Sequence, residues 1–512
     1  MSLPTAVRSF VLFLIVIIAG CQTGKSYKYS DLTDVRNSNA DVVAFNILQM
    51  NDVYEIAPVE SGQRGGIARV ASIKNSLKME NPNTIAIITG DFLSPSALGV
   101  TKINGETLAG EQMVASLNAM GLDYAILGNH EFDITEQQLK ARIKESKFKW
   151  VTANVFQASG KPFESVKNND VIEFTNSSGK KVRVGLFGVC TDMARKNWLT
   201  YRNALDVSKE QVTELKTKSD LIVALTHLSI DEDKKIAAEV PELEVLLGGH
   251  EHENISTVAG ADSTPIYKAD ANARTVYVHR FKYNTRTKEL IHKSELVNVD
   301  QNIPLEEKTD KVVKNWVEKV YKVLRADGIE PDKAVGQTQE ILDGYESSVR
   351  NRPTNLTALI GQSFADEVPE ADAVIYGGGS IRIDARIPPG PITYFDVVKI
   401  FPFGGNLVLA EVSGSTLKMA LKVGIENKGT GGYLQMHNIE PKKEGWVIGG
   451  KPINDRKRYK VVFNDFLLTG LERGLPFLNS KQSMPLVTKL RDTRDVRTVF
   501  ISRLQKDMAA KK

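Results

Sequence analysis

The stretch Gly128-Asn129-His130-Glu131-Phe132-Asp133 directly follows an apolar run, Tyr124–Leu127, and this pairing of features decides the fold. Four more apolar runs in the same half of the chain end in residues of metal-binding types: Val43–Met50 in Asn51-Asp52, Thr84–Thr89 in Gly90-Asp91, Leu221–Leu225 in Thr226-His227, and Val245–Leu247 in Gly248-Gly249-His250. Continuous apolar runs favour strands of a sheet covered on both faces, and such sheets bind ligands at the carboxyl ends of their strands. We therefore expect one site built from these five strand ends.

The rest of the chain is organised around this first region. Between residues 42 and 300, apolar runs alternate with helix-compatible polar stretches, which predicts an α/β domain. Pro304–Leu324 carries apolar residues at three-to-four spacing and predicts a long helix within a linker over 301–333. A helix, a strand and a glycine run follow, so we expect a second, smaller α/β domain over 334–505 and a tail over 506–512.

The composition excludes several classes of protein. Hydrophobic residues make up 42% and charged residues 25%, which is ordinary for a globular chain and argues against disorder. Lysine and arginine number 66 against 62 acidic residues, without a long basic block, so we expect no nucleic-acid partner. Two cysteines exclude a disulfide framework, and the apolar surroundings of Cys190 indicate a buried side chain.

The first residues have the features of an export signal. A basic residue precedes the apolar run Phe10–Ile18, which is too short to span a bilayer as a mature helix. Ile18-Ala19-Gly20-Cys21 resembles the cleavage box of bacterial lipoproteins, which implies a signal peptide over 1–20, lipidation at Cys21 and a tether over 21–41. We therefore expect an exported protein, held by an N-terminal lipid on the periplasmic or cell-surface side of a membrane. An ordinary secretory signal with a chance cysteine is the alternative.

The placement of histidine strengthens the case for a metal site. Four of the seven histidines lie at or just after the strand ends: His130, His227, His250 and His252. Carboxylate, amide and imidazole groups suit zinc, manganese, cobalt and similar ions, and two ions about 3.5–4 Å apart need one bridging carboxylate. Asp91 is the natural bridge. We expect surface or packing roles for the other three histidines, His279, His292 and His437.

In order and spacing, these motifs resemble those of the calcineurin-like metallophosphoesterases, and more closely those of the 5′-nucleotidase family. The matching segments are Asn51-Asp52-Val53-Tyr54, Gly90-Asp91, Gly128 to Asp133, Thr226-His227 and Gly248-Gly249-His250-Glu251-His252. The resemblance implies a first domain of two layered sheets, a smaller substrate-binding domain and two divalent metal ions. It places Asp52, Asp91 and His252 around one ion, and Asp91, Asn129, His227 and His250 around the other.

The same resemblance concerns catalysis, and one position departs from the family pattern. His130 matches the catalytic histidine, which would assist the leaving group as a general acid, and Asp133 would orient it. The family has Asp-x-His in its first motif, whereas this chain has Asp52-Val53-Tyr54. A tyrosine, with an ordinary pKa near ~10, gives up its proton less readily than imidazole. Three alternatives stay open: a Tyr54 phenolate as ligand, replacement by Glu55 or water, and weak metal binding.

The second half of the chain resembles the substrate-binding domain of the family. The resemblance implies substrate contacts from Arg350, Gly379, Arg382, Phe403, Asn406, Phe466 and Glu472, with the two aromatic rings stacked on a nucleobase. Surface salt bridges are the alternative for the two arginines, and a core position is the alternative for Phe466. The usual Gly-Gly-Asp-Gly after the second ring is replaced by Gly470-Leu471-Glu472-Arg473, so the ribose hydroxyls would meet a longer carboxylate.

The resemblance implies an enzyme that releases phosphate from nucleoside 5′-monophosphates or related nucleotides, with two metal ions activating water. A cyclic-nucleotide phosphodiesterase or a nucleotide-sugar pyrophosphatase is the enzymatic alternative, because the same groups would serve another leaving group. A nucleotide-binding protein with an impaired metal site is the non-enzymatic alternative. The net charge of +4 does not argue against a small anionic partner, since bound metal ions supply positive charge that composition does not count.

Overall fold

The computed structural model describes residues 40–443 and 445–510. The expected signal peptide, the lipidation site Cys21 and the tether up to residue 39 lie outside the described residues. Within the described part, no helix combines the length and the apolar character that crossing a membrane requires.

Two stacked sheets form the first domain. In chain order its strands are β1 Val42–Met50, β2 Thr84–Ile88, β3 Lys102–Ile103, β4 Glu106–Thr107, β5 Tyr124–Ala125, β6 Lys149–Val151, β7 Val155–Gln157, β8 Val166–Lys167, β9 Asn169–Thr175, β10 Lys181–Cys190, β11 Leu199–Tyr201, β12 Leu221–His227, β13 Val245–Gly248, β14 Ile255–Ala259, β15 Thr264–Lys268, β16 Thr275–Asn284 and β17 Leu290–Asn298. The seven-stranded sheet has the order β17-β16-β1-β2-β5-β6-β8, and the six-stranded sheet has the order β14-β15-β13-β12-β10-β9. The five expected strands are therefore confirmed, and they are divided between the two sheets.

Helices cover the outer faces of both sheets. They are α1 Ile67–Glu80, α2 Glu111–Met120, α3 Glu136–Glu145, α4 Ala204–Leu215 and α5 Ile230–Glu239. Buried side chains such as Phe45, Val184 and Val223 form a core between the sheets, and separate cores lie under the helices. The strands are thus covered on both faces, as their continuous apolar sequences predict. Cys190 is buried in this domain, as expected.

The long helix α6, Glu307–Ala326, packs between the two halves of the chain. Val313 and Val320 are buried in the core of the first domain, next to α1 and α2. On the other side, the ring of Tyr321 lies 5.3 Å from that of Phe395, a residue of the second half. The apolar residues that give α6 its amphipathic pattern therefore contact both domains.

The second domain is built on a five-stranded sheet of order β24-β20-β28-β23-β29. Its strands are β18 Ala334–Thr338, β19 Leu342–Asp343, β20 Ala373–Gly377, β21 Arg386–Ile387, β22 Gly390–Thr393, β23 Asn406–Ser413, β24 Leu434–His437, β25 Ile439–Lys442, β26 Gly445–Ile448, β27 Lys451–Pro452, β28 Arg458–Asn464 and β29 Val487–Asp495. Its helices are α7 Glu346–Val349, α8 Asn355–Glu367, α9 Tyr394–Ile400, α10 Gly414–Glu426 and α11 Val496–Ala509. The expected tail begins too early, because α11 is capped by Asp495 and continues through Ala509.

Two of the histidines without a predicted site role are packing residues. His279 is fully buried, with Nε2 2.8 Å from the Gln49 side-chain oxygen and Nδ1 2.7 Å from the Ser294 hydroxyl. The imidazole of His292 stacks on Phe281 at 4.2 Å and contacts the same hydroxyl. Burial lowers the pKa of His279 well below its ordinary value, and it lowers the pKa of His292 from 6.5 to about 4.

These histidines should make the stability of the protein fall in mild acid. A group whose pKa is lower in the folded state loses stability as the pH falls from the unfolded value of 6.5 towards the folded value of about 4. For His292 the full loss is on the order of 3 kcal/mol, at about 1.4 kcal/mol per pKa unit. We expect the fall in melting temperature between pH 6.5 and 4 to be shallower for His292→Gln than for the unaltered protein. Identical slopes would contradict this prediction.

Candidate active site

The predicted metal ligands of the first domain converge at the carboxyl ends of the strands. Asp52 Oδ1 lies 3.4 Å from His252 Nε2 and 3.9 Å from His227 Nε2, and Asp91 Oδ2 lies 3.1 Å from His227 Nε2. Two groups of side chains therefore offer ligand atoms around common points: a first group of Asp52, Asp91 and His252, and a second group of Asp91, His227 and His250. Asp91 belongs to both groups, which is the position expected of a bridging carboxylate.

The backbone is bent sharply at these strand ends. Four of the predicted ligands have a left-handed conformation, with φ of 52° at Asp52, 56° at Asp91, 88° at His250 and 57° at His252. For residues with a Cβ atom this conformation costs on the order of 1–2 kcal/mol each. Such strain collects at functional sites because it aims side chains that a regular strand would point elsewhere.

Asp52 and Asp91 each have one oxygen held by N–H groups of the protein and one directed at the predicted ligands. Asp52 Oδ2 accepts hydrogen bonds of 2.8 Å from the Asn51 side chain and from the His250 N–H. Asp91 Oδ1 accepts a 2.8 Å hydrogen bond from the His130 N–H. The remaining oxygens face the centre of the cluster.

The donor set fits a pair of divalent cations. Three buried ligand atoms accept or donate no hydrogen bond within the described structure: Asp52 Oδ1, Asn129 Oδ1 and His227 Nε2. His227 Nδ1 is 2.7 Å from the Thr89 carbonyl and must donate to it, which leaves the Nε2 lone pair for a metal. Burial lowers the pKa of His227, but the Asp91 and Asp52 carboxylates outweigh it and raise that pKa to about 10. A field that holds a proton so strongly also attracts a metal cation.

Glu131 holds the strand ends together, and sequence reasoning gave it no role. Its fully buried carboxylate accepts hydrogen bonds of 2.7–3.0 Å from the backbone N–H groups of Asp91, Phe92, Leu93 and Gly128. The sequence feature that could have indicated a role for Glu131 is its position inside the Gly128 to Asp133 motif. By joining the end of β2 to the end of β5, Glu131 fixes the Asp91 carboxylate.

Tyr54 lies inside the first group of ligands. Its hydroxyl is 2.8 Å from His252 Nε2 and 3.3 Å from Asp91 Oδ2. Burial, followed by the Asp91 and Asp52 carboxylates, raises the pKa of Tyr54 well above its ordinary value. Glu55 points elsewhere, because its carboxylate accepts a hydrogen bond from the Ala97 N–H. Of the alternatives for this position, replacement by Glu55 has no support in the geometry.

The candidate catalytic histidine stands beside the cluster at the interface between the two domains. His130 Nδ1 is 2.6 Å from Asp133 Oδ2, as the resemblance implies. His130 Nε2 is 2.8 Å from Arg382 Nη2, a residue of the second domain. Arginine can only donate, so Nε2 accepts from Arg382 and Nδ1–H donates to Asp133. Thr135 caps the helix α3 that follows, through a reciprocal pair of hydrogen bonds with Gln138.

The two predicted substrate-binding arginines are buried rather than on the surface. The exposed fraction of the side chain is 15% for Arg350 and 7% for Arg382. Glu346 Oε1 lies 2.5 Å from Arg350 Nη1, and its other oxygen lies 3.9 Å from Arg382 Nη1. Both arginines do pair with Glu346, as the alternative expects, but neither pair lies on the open surface. Arg382 in addition contacts His130 at the interface beside the metal cluster.

The two candidate stacking rings are exposed, Phe403 on a turn and Phe466 on the short 3-10 helix Asp465–Thr469. The exposed fraction is 56% for Phe403 and 47% for Phe466. Asp465 joins these two segments, since its carboxylate accepts a 3.0 Å hydrogen bond from the Asn406 N–H. Strand β28 ends at Asn464, so the alternative of a core position for Phe466 is wrong.

The remaining predicted substrate residues lie near the glycine run of the second domain. Gly379 packs closely on the backbone, donating a 2.9 Å hydrogen bond to the Gly431 carbonyl, and a Cβ there would lie 2.8 Å from Gly431 Cα. Glu472 Oε2 lies 3.8 Å from the position of a Cβ on Gly377. Burial raises the pKa of Glu472. Close packing thus explains Gly379 without a substrate.

Comparison with known proteins identifies the class. The calcineurin-like phosphoesterase model matches residues 45–254, and the model of the 5′-nucleotidase C-terminal domain matches residues 334–479. Protein 5NUC of Lutzomyia longipalpis is 22% identical over 480 residues, covering 82% of this chain and 81% of the relative. The human 5′-nucleotidase is 25% identical over 462 residues, covering 79% and 78%. A 5′-nucleotidase precursor from Thermus thermophilus has the same fold, with a TM-score of 0.74 at 22% identity, covering 91% and 97%.

Fold and site therefore define a calcineurin-like metallophosphoesterase, a metal-dependent hydrolase of phosphoric esters. Since the 5′-nucleotidase C-terminal domain follows in the same chain, the protein belongs to the 5′-nucleotidase family. The non-enzymatic alternative, a protein that only binds nucleotides, is not supported.

We expect Glu131→Gln to destabilise the protein by about 2–4 kcal/mol, because the new amide group turns a donor towards backbone N–H groups that need an acceptor. Urea denaturation of both proteins measures the difference. Glu136→Gln is a matched control, since Glu136 is partly exposed and pairs with Lys140 one turn along α3. Equal effects of the two substitutions would contradict the assigned role.

We expect Tyr54→His to tighten metal binding at the first group of ligands, because an imidazole nitrogen binds a cation without losing a phenolic proton. The expected gain is about tenfold or more, the scale on which ligand surroundings act. Calorimetric titration with Mn²⁺ measures it. Tyr54→Phe, which removes the hydroxyl and adds no ligand, should show no gain, and unchanged affinity in Tyr54→His would count against a weakened first site.

Proposed function

We propose that the protein releases phosphate from nucleoside 5′-monophosphates or closely related nucleotides. The observation that carries this proposal is the 2.8 Å contact between Arg382 of the second domain and His130 of the first. It brings an anion-binding guanidinium, a candidate general acid and the metal ligands to one interface. A phosphate there would meet positive charge from the second domain as well as from bound cations.

Two cations held by Asp52, Asp91, Asn129, His227, His250 and His252 would neutralise phosphate oxygens and activate water for attack on phosphorus. The assignment of these six residues as metal ligands is part of the proposal. It is supported by buried side-chain atoms of Asp52, Asn129 and His227 that make no hydrogen bond within the described structure. Tyr54 occupies the position at which the family pattern has a further histidine ligand.

His130 would serve the leaving group. In the structure Arg382 occupies Nε2, and an incoming phosphate would compete for that guanidinium. Once released, Nε2 can take up a proton, while Asp133 stabilises the imidazolium from the Nδ1 side. Proton donation from Nε2 to the leaving oxygen then avoids the formation of a free alkoxide.

The exposed rings of Phe403 and Phe466 would bind the nucleobase. Aromatic stacking on a base is worth about 1–3 kcal/mol in single-strand binders, and it requires exposed ring faces of the kind seen here. Glu472, near the glycine run, would accept hydrogen bonds from ribose hydroxyls. Export and lipid attachment at Cys21 remain proposals that rest on the Ile18–Cys21 segment.

We expect the metal-loaded protein to hydrolyse AMP, and His130→Ala to lower kcat by about 10²–10⁴-fold while retaining its metals. The assay measures phosphate release with Mn²⁺, Zn²⁺ or Co²⁺, and elemental analysis measures metal content. Loss of metal together with activity would contradict the assigned role of His130.

The choice of substrate separates the proposal from its alternative. AMP, cyclic nucleotides, UDP-sugars and bis-p-nitrophenyl phosphate should be compared under the same conditions. Faster turnover of the diesters or of UDP-sugars would replace the nucleotidase by a phosphodiesterase or a pyrophosphatase. Turnover of none of these esters would overturn the proposed function.

A further inference from the structure

His252 is a predicted ligand of the first domain, yet one of its ring nitrogens faces the second domain. Nε2 points into the metal cluster, 3.4 Å from Asp52 Oδ1. Nδ1 lies 3.1 Å from Asp384 Oδ2 and 3.4 Å from Glu346 Oε2. Both neighbours of Nδ1 are carboxylates, which only accept, so Nδ1 carries a proton. This arrangement directs the Nε2 lone pair at a metal ion.

The Asp384 carboxylate divides its two oxygens between the domains. Oδ1 accepts a 2.8 Å hydrogen bond from the Glu346 N–H within the second domain. Oδ2 reaches His252 across the interface. Asp384 is 4% exposed, so water does not replace this contact. A ligand histidine commonly donates its second N–H to a carboxylate that fixes its ring, but here the carboxylate comes from another domain.

Further contacts hold Asp384 in register with the first domain. Arg274 donates a 2.5 Å hydrogen bond to the Asp384 carbonyl, and the same nitrogen lies 3.7 Å from Oδ1. The Arg274 guanidinium also lies 4.5 Å from the centre of the Tyr345 ring. The Tyr345 hydroxyl donates a 2.7 Å hydrogen bond to Glu60 of the first domain. The Asp384–His252 contact is therefore part of a buried seam and not an isolated pair.

We infer that Asp384 is a positioning residue for His252, so that the first metal site is complete only when the second domain is docked. The inference rests on the proposed function, since it assumes that the cluster binds metal. It makes the second domain a structural part of the metal centre, in addition to a place for the substrate.

Asp384→Asn tests this inference with little change in shape. If the amide oxygen keeps the Glu346 N–H, the amide nitrogen faces His252 Nδ1 and donates to it. The imidazole proton then moves to Nε2, the nitrogen that must bind the metal. We expect calorimetric titration of the metal-free protein with Mn²⁺ to show two binding events for the unaltered chain. In Asp384→Asn one of them should weaken by about 10–100-fold and the other should be unchanged.

Matched variants separate positioning from folding. Asp366→Asn, which alters a carboxylate paired with Arg503 on the surface of the second domain, should leave both binding events unchanged. Asp384→Ala removes the carboxylate without adding a donor and should weaken the same event if Asp384→Asn does not fold. Melting temperatures, measured on the metal-free proteins, report the structural cost of each substitution separately.

Two results would overturn the inference: wild-type affinity at both sites in the Asp384 variants, or equal weakening of both sites. Failure of the proposed function is a separate outcome. If the unaltered protein binds two cations but hydrolyses no nucleotide, the proposed function fails, while the difference between the two binding events still tests the role of Asp384.

Discussion

The buried Glu131 carboxylate is the interaction on which the site depends, because it accepts four backbone N–H groups from two neighbouring strand ends. One of those strand ends is strained, because Asp91 has a left-handed backbone with φ of 56°. The hydrogen bonds to Glu131 offset that cost, since each intramolecular hydrogen bond is worth about 1 kcal/mol. These hydrogen bonds therefore hold the left-handed backbone at Asp91 and fix the orientation of its carboxylate.

This fixed arrangement concentrates negative charge where the protein supplies little to neutralise it. Asp52 and Asp91 are buried within one cluster, and the nearest cationic groups are histidines that should act as ligands. Two buried carboxylates close together are costly while charged, so bound protons or metal ions stabilise the cluster. The guanidinium of Arg382, a residue of the second domain, contacts His130. It therefore adds positive charge at the edge of the site without filling the centre.

Much of this could be predicted from local sequence. The strand ends carrying Asp52, Asp91 and His227 follow continuous apolar runs. The pairing of His130 with Asp133 is implied by the resemblance of their motif to that of the family. Contacts between distant segments could not be predicted, because they depend on how the two domains dock. Asp384 and His252 are 132 residues apart in the chain, and neither has a local pattern that links them. Phe466 illustrates a smaller difficulty. Apolar residues resume after Asn464-Asp465 in the sequence, but the strand ends at Asn464.

The tyrosine at position 54 increases the importance of that docking. Where the family pattern provides an imidazole in the first motif, this chain provides a hydroxyl that lies 2.8 Å from His252 Nε2. His252 is then the one imidazole in the first group of ligands. A single nitrogen ligand must have its ring held in the right orientation to bind a metal ion. The orientation of the His252 ring is fixed at Nδ1, where Asp384 of the second domain makes the closest contact. Because the first domain lacks the histidine of the family's first motif, the geometry of this metal site depends more strongly on the second domain.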